Sequence, residues 1–205
     1  MAQRDKFYIN GEWVAPVEGG RSFPVVNPAT EEVMNEIALG SAADVDRAVA
    51  AARAAWPAFS QTSRKERLAL LERVMKVFVK RLKDIGKAIS DEMGAAQPFA
   101  ERIQAGAGLG QIQTVYEALK TYPFEERLRS AMITREAIGV AGMVTPWNWP
   151  LNQIGCKVAP ALAAGCTMIL KPSEYTPTSA LIFAEVLDEA GVPPGVFNLV
   201  NGLGP

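Results

Sequence analysis

A chain of 205 residues that is 49% hydrophobic and carries a formal net charge of −1 can build a sizeable core. It has no basic field for holding nucleic acid or an anionic membrane. It contains no histidine and only two cysteines, which removes histidine-based triads, most zinc sites and a disulfide framework.

The polar start MAQRDKFY is unlike a secretory leader, and no apolar run is long enough to span a bilayer, so a cytoplasmic chain is expected. Phe7 to Val14 reads as a hairpin about an Asn10-Gly11 turn. A second strand pair is expected at Phe23 to Val26 and Val33 to Ala38. Ser41 opens an alanine-rich helix from Ala42 to about Ala55, with Asp44 at the capping-box position, and Ser63 with Glu66 forms the next capping box. In the helix that follows, Leu68, Leu71, Val74, Met75 and Phe78 recur at helical spacing, while Arg64, Lys65, Glu72, Arg73 and Lys76 point to water. Helix continues through Met93 and, beyond Pro98, from about Ala100 to Leu119. Arg127 to Val140 reads as extended.

The most regular part follows. Val140 to Thr145 is a short apolar strand bounded by Pro146. Pro150 then opens a helix, whose Gly155, Ala159, Ala161, Ala163 and Ala164 allow close approach to a sheet, and Gly165 ends it. Thr167 to Leu170 is the second strand. A helix from Ser179 to Ala190, with Leu181, Val186 and Leu187 inward, leads to a third strand at Val196 to Val200. Strands alternating with helices of this length form right-handed crossovers in a parallel sheet, so the fold class is α/β. Thr145-Pro146-Trp147-Asn148, Lys171-Pro172-Ser173-Glu174 and Asn201-Gly202-Leu203-Gly204 then meet at one sheet edge, where open α/β sheets bind ligands.

Each feature also has a plainer explanation. Asn148 can cap the helix that Pro150 opens. Lys171 and Glu174 can be a solvated pair, and Trp147 and Trp149 can be core. Cys166 stands at the amino end of the second strand, roughly 16 Å from Lys171 at about 3.3 Å per residue. Cys156 lies mid-helix, its carbonyl left without the usual partner by Pro160. Both read as inert buried thiols.

TPWNWP with KPSE one βα unit later, together with YINGEW, VVNPAT, DEMG and EAGVPPGVFNLVNGLG, resembles the N-terminal part of the aldehyde dehydrogenase superfamily over nearly the whole chain. The resemblance implies an incomplete Rossmann-like βαβαβ sheet preceded by hairpins and helices. Residues 1–126 would be the hairpins and helices of a cofactor-binding domain, 127–141 a bridging and oligomerisation segment, and 142–205 the first three Rossmann-like strands. It implies that Asn148 stabilises an oxyanion, and that Lys171 and Glu174, in the turn with Pro172 and Ser173, hold the adenosine ribose of NAD. It also places Val144, Thr145, Pro146 and Trp147 along the cofactor cleft and Gly202 on its adenine side. A carboxylate at the ribose favours NAD, with NADP left open. The lack of a G-x-G-x-x-G fingerprint does not count against a family that holds its pyrophosphate differently. The nucleophilic cysteine and the glutamate base of the family lie beyond these residues, so the parent is expected to oxidise an aldehyde to an acid and this chain alone to be inactive. A dimer or tetramer is implied. Glu92 and the backbone near Val26 resemble a monovalent cation site in some relatives, but no metal is assigned. The alternative is a non-catalytic nucleotide-binding or oligomer-forming protein.

Overall fold

Asn10 and Gly11 take positive φ values of 56° and 78°, the two left-handed conformations that a type I′ turn needs. They fold β1 (Phe7–Ile9) onto β2 (Glu12–Val14). The computed structural model describes residues 4–204. After the hairpin come β3 (Ser22–Val26), β4 (Val33–Ala38), α1 (Ala42–Ser60), α2 (Arg64–Lys80), α3 (Leu82–Met93) and a short α4 (Gln97–Phe99). A π-helical turn over Ala100–Ala105 joins α4 to α5 (Gly106–Thr121). The remaining elements are β5 (Glu125–Leu128), β6 (Ala131–Thr134), β7 (Val140–Val144), α6 (Pro150–Ala164), β8 (Thr167–Lys171), α7 (Pro177–Glu189) and β9 (Phe197–Leu199). Among the described residues no helix is long and apolar enough to cross a membrane.

Strands β7, β8 and β9 pair in parallel and in chain order, as the alternating pattern predicts. The sheet does not stop there. β1 joins antiparallel to β9, giving a five-stranded mixed sheet of order β2-β1-β9-β8-β7. The buried Asn198 fastens this join. Its amide nitrogen donates to the carbonyls of Met168 (3.1 Å) and Gly195 (2.9 Å), and its amide oxygen accepts from the Asn10 N–H at 2.9 Å. Tyr8 adds a phenol bond to Asp188 at 2.8 Å. Burial and that carboxylate push the Tyr8 pKa upward.

Helix α7 is buried along nearly all of Pro177 to Leu187, where a single inner face was expected. It lies between the sheet and the α2–α3 pair. Phe183 meets Phe197 on one side and Phe78 on the other, with centroids 6.3 Å and 6.0 Å apart and steep edge-on angles. Helix α1 covers the opposite sheet face, where its Ala52 carbonyl accepts from Thr167 Oγ1 at 2.9 Å. It runs on to Ser60, past the expected end near Ala55.

Two further expectations change. The glycine of α6 serves a helix crossing with α5 rather than the sheet: a Cβ on Gly155 would lie 2.9 Å from the Gly108 carbonyl oxygen, and one on Gly108 would lie 2.8 Å from Leu151 Cβ. The stretch Arg127 to Val140 is not one extended run, because β5 and β6 fold back on each other about Arg129 (φ 55°), with all eight strand residues exposed. Arg67, unnoticed in the amphipathic pattern of α2, is buried. It donates to the Ser60 carbonyl (2.7 Å), the Ala163 carbonyl (3.2 Å) and Thr62 Oγ1 (2.9 Å), so it closes the carboxyl ends of α1 and α6 together. Its desolvation lowers its pKa.

Asn198→Ala removes three bonds at once, two of them to carbonyls of the buried residues Met168 and Gly195. It should lower the unfolding free energy by about 2–4 kcal/mol, read from urea unfolding. A loss near zero would mean that the hairpin is not held through this side chain.

Candidate functional site

The register of the parallel strands sets the site. Val144 sits opposite Lys171, and the Thr145 N–H donates to the Lys171 carbonyl at 3.2 Å, so the loop after β7 leaves beside the end of β8. From there Lys171 reaches the loop after β9: its Nζ donates to the carbonyl oxygens of Gly202 (2.7 Å) and Pro172 (3.0 Å). The Glu174 carboxylate is the third partner, at 3.5 Å, at the outer limit of a hydrogen bond. Lys171 is therefore pinned mainly to backbone carbonyls. Among the described residues Glu174 accepts from Lys171 alone, which leaves carboxylate lone pairs free.

A cavity of about 780 Å³ lies over this edge, walled by Met143, Val144, Lys171, Gly202 and Leu203 and, from α1, by Ser41 and Val45. The α1 wall was missed in the sequence, although the Ser41 cap marks where it begins. A Cβ on Gly202 would meet nothing closer than Lys171 Cδ at 3.9 Å, so the fold itself does not demand glycine here and the space opens to the cleft. Glu174 is not among the residues that line this cavity. A smaller apolar cavity of about 320 Å³ lies away from the strand ends, between α5, α6 and the base of the β5–β6 hairpin.

The other predicted residues divide into two groups. Thr145, Pro172 and Ser173 are buried, and Ser173 Oγ accepts from the Tyr175 N–H at 3.3 Å, so they shape the turns. Val144, Pro146, Trp147 and Asn148 are exposed. Trp147 is not core: it is 53% exposed beside a 440 Å³ cavity that includes Phe23, Tyr175 and Glu92. Asn148 is not the helix cap. Trp149, in left-handed conformation (φ 56°, ψ 54°), occupies that position with no side-chain cap bond, and no hydrogen bond to the Asn148 amide occurs among the described residues. Cys156 is half-buried, not buried as expected, and its thiol donates to the Gln153 carbonyl at 3.3 Å. Cys166 is buried at the amino end of β8. Neither thiol stands at the cleft.

Glu92 has a task within the fold itself. It is buried, and its oxygens accept from the N–H groups of Thr178 (2.7 Å) and Ser179 (3.0 Å) and from Ser179 Oγ (2.6 Å). It caps α7 from α3, across the fold, where the helix N-terminus favours a carboxylate. Among the described residues no cluster of three or more histidine, cysteine or acidic side chains could hold a metal. Burial outweighs the three donors and pushes the Glu92 pKa from 4.5 up to about 7. The folded state then binds the proton more tightly than the unfolded chain. The group's contribution to stability is fully present below pH 4.5 and is lost as pH rises to about 7. The stability difference between the wild type and Glu92→Gln should shrink across that window in pH-resolved thermal melts. A difference that grows with pH would show that the helix end, not burial, sets this pKa.

Compared with known proteins, residues 13–205 match the aldehyde dehydrogenase family. A 3-succinoylsemialdehyde-pyridine dehydrogenase from a Pseudomonas species is 55% identical over the whole chain, which covers 43% of that protein. Among solved structures, aldehyde dehydrogenase C of Pseudomonas syringae, a variant complexed with NAD+ and octanal, is 52% identical with a TM-score of 0.96. The alignment covers 98% of this chain and 41% of that one. An NADP-dependent Escherichia coli enzyme is 34% identical at a TM-score of 0.89, over 97% of this chain and 42% of the other. The chain thus spans about two-fifths of the length of these relatives.

Proposed function

The chain belongs to the aldehyde dehydrogenase family, and from that premise we propose that it is the cofactor-holding N-terminal part of an enzyme that oxidises an aldehyde to a carboxylic acid. The observation that carries the reading is the Lys171 bond to the Gly202 carbonyl, which holds two strand-end loops around one open cleft. The nicotinamide cofactor, when bound, supplies the hydride acceptor.

In this reading the chain's own residues bind and orient. Glu174, with lone pairs free, accepts the two ribose hydroxyls, and Lys171 holds the backbone beside it. Gly202 leaves the cleft open on the adenine side. Val144, Thr145, Pro146 and Trp147 form the wall that leads to Asn148. The Asn148 amide, which takes no hydrogen bond among the described residues, donates to the oxygen that gains charge when the aldehyde is attacked, where a preorganised donor matters most. The nucleophile and the general base are assigned to residues beyond these 205. The NAD-bound relative and the NADP-dependent one support a nicotinamide cofactor without deciding between the two forms, and Glu174 favours NAD because a carboxylate repels a 2′-phosphate.

The same reading makes 127–141 an oligomer contact. A two-stranded hairpin is marginal by itself in water, and Met132 and Ile138 stand 60% and 90% exposed, an apolar face suited to a second copy of the chain. We place this homo-oligomer in the cytoplasm, a compartment that keeps thiols such as Cys156 and Cys166 reduced.

In the full-length enzyme, Asn148→Ala should lower kcat by about a hundredfold or more, with a smaller effect on cofactor affinity. Intact turnover would remove the oxyanion role. Glu174→Gln should weaken NAD binding by about 1–3 kcal/mol and narrow the preference over NADP. Calorimetric titration of both cofactors reads this directly, and unchanged constants would sink the ribose assignment.

A further inference from the structure

We propose that Phe99 is a positioning residue for Asn148, acting through the ring and backbone of Trp149; the inference rests on the oxyanion role proposed above. Trp149 follows Asn148 directly and holds a left-handed backbone (φ 56°, ψ 54°), a conformation that bulky side chains rarely keep without support. No side-chain cap holds the start of α6, so the turn that presents Asn148 is held by packing on either side of it.

Two contacts supply that packing. After the turn, Leu151 is seated against Gly108 of α5, where an added Cβ would come within 2.8 Å. At the turn, the Trp149 ring meets Phe99 edge-on, with centroids 5.8 Å apart and planes at 76°. Phe99 is 43% exposed, and it is its backbone that is held. It is the last residue of α4, immediately before the π-helical turn, and that turn is pressed onto α3, where a Cβ on Gly86 would lie 2.6 Å from the Glu101 Cα. A π-turn inserts a residue into the helical repeat, which rotates what precedes it by roughly 100° relative to α5. Phe99, just before that turn, meets Trp149. The same helical arm thus holds α6 at Leu151 and the strained residue at Trp149. A rigid arm of this kind sets the direction of the exposed Asn148 amide, which takes no hydrogen bond among the described residues.

The test is a double-mutant cycle in the full-length enzyme, with Phe99→Ala, Phe99→Tyr and Phe99→Leu in wild-type and Asn148→Ala backgrounds. Phe99→Ala should lower kcat about tenfold and leave the NAD dissociation constant unchanged. Phe99→Tyr should restore turnover, whereas Phe99→Leu, which keeps apolar volume without the aromatic edge, should not. In the Asn148→Ala background Phe99→Ala should cost nothing further, and its effect should be equal for a two-carbon and an eight-carbon aldehyde. An equal loss in both backgrounds, or a loss confined to the long aldehyde, would overturn the inference and make Phe99 a substrate contact or a general stabiliser. If Asn148→Ala alone leaves kcat intact, the oxyanion reading fails first and the positioning role falls with it. If Phe99→Ala does not fold, the Tyr and Leu pair carries the same comparison.

Discussion

The cleft depends on one ammonium group. Lys171 ends β8, and its bonds to the Gly202 and Pro172 carbonyls tie the loop after the third parallel strand to the loop after the second. The Thr145 N–H brings in the first strand by bonding the Lys171 carbonyl. Main chain and side chain of one residue therefore join all three strand ends. This makes the charge of Lys171 structural. It also frees Glu174, whose carboxylate is only loosely engaged at 3.5 Å. A lysine bound tightly to Glu174 would occupy the acceptor atoms that the proposed ribose contact needs.

The second constraint is packing. The α5–α6 crossing relies on glycine at 108 and 155, which brings two backbones into contact and seats the start of α6. Arg67 then closes the other end of α6 by taking its Ala163 carbonyl together with the Ser60 carbonyl of α1. Gly165 leaves room for that guanidinium, since a Cβ there would collide with it. A lysine at 67 could not replace a planar fork that reaches three acceptors. Both ends of the helix that follows Asn148 are thus fixed by residues from outside the βαβ unit.

What could be read from the chain was local. The Asn10-Gly11 turn, the Ser41 and Ser63 caps, Pro150, Gly165 and the alternation of strand and helix each carry their signal within a few residues, and they suffice to bring TPWN, KPSE and NGLG to one edge. What could not be read was the choice of distant partners. Nothing near Asn198 says that its amide will hold Asn10, and nothing near Glu92 says that it will cap α7. Gly155 announced a close approach, but its surroundings do not say whether a sheet or a helix makes it. The reversal at Arg129 was hidden because both arms of the hairpin are exposed, so no burial pattern marks them.

The join between β1 and β9 has a consequence in time. Asn10 meets Asn198 across 188 positions of sequence, and Phe7, Tyr8 and Ile9 are buried only once that meeting has occurred. At about 5–20 residues per second on the ribosome, the β1–β2 hairpin waits roughly 10–40 seconds for the strand that completes it. Its aromatic and aliphatic side chains stay uncovered in that interval, and a lone hairpin is marginal in water. Contacts this distant also slow folding after release. Chaperone dependence should therefore concentrate at the β1–β2 hairpin, which is made long before the strand that covers it.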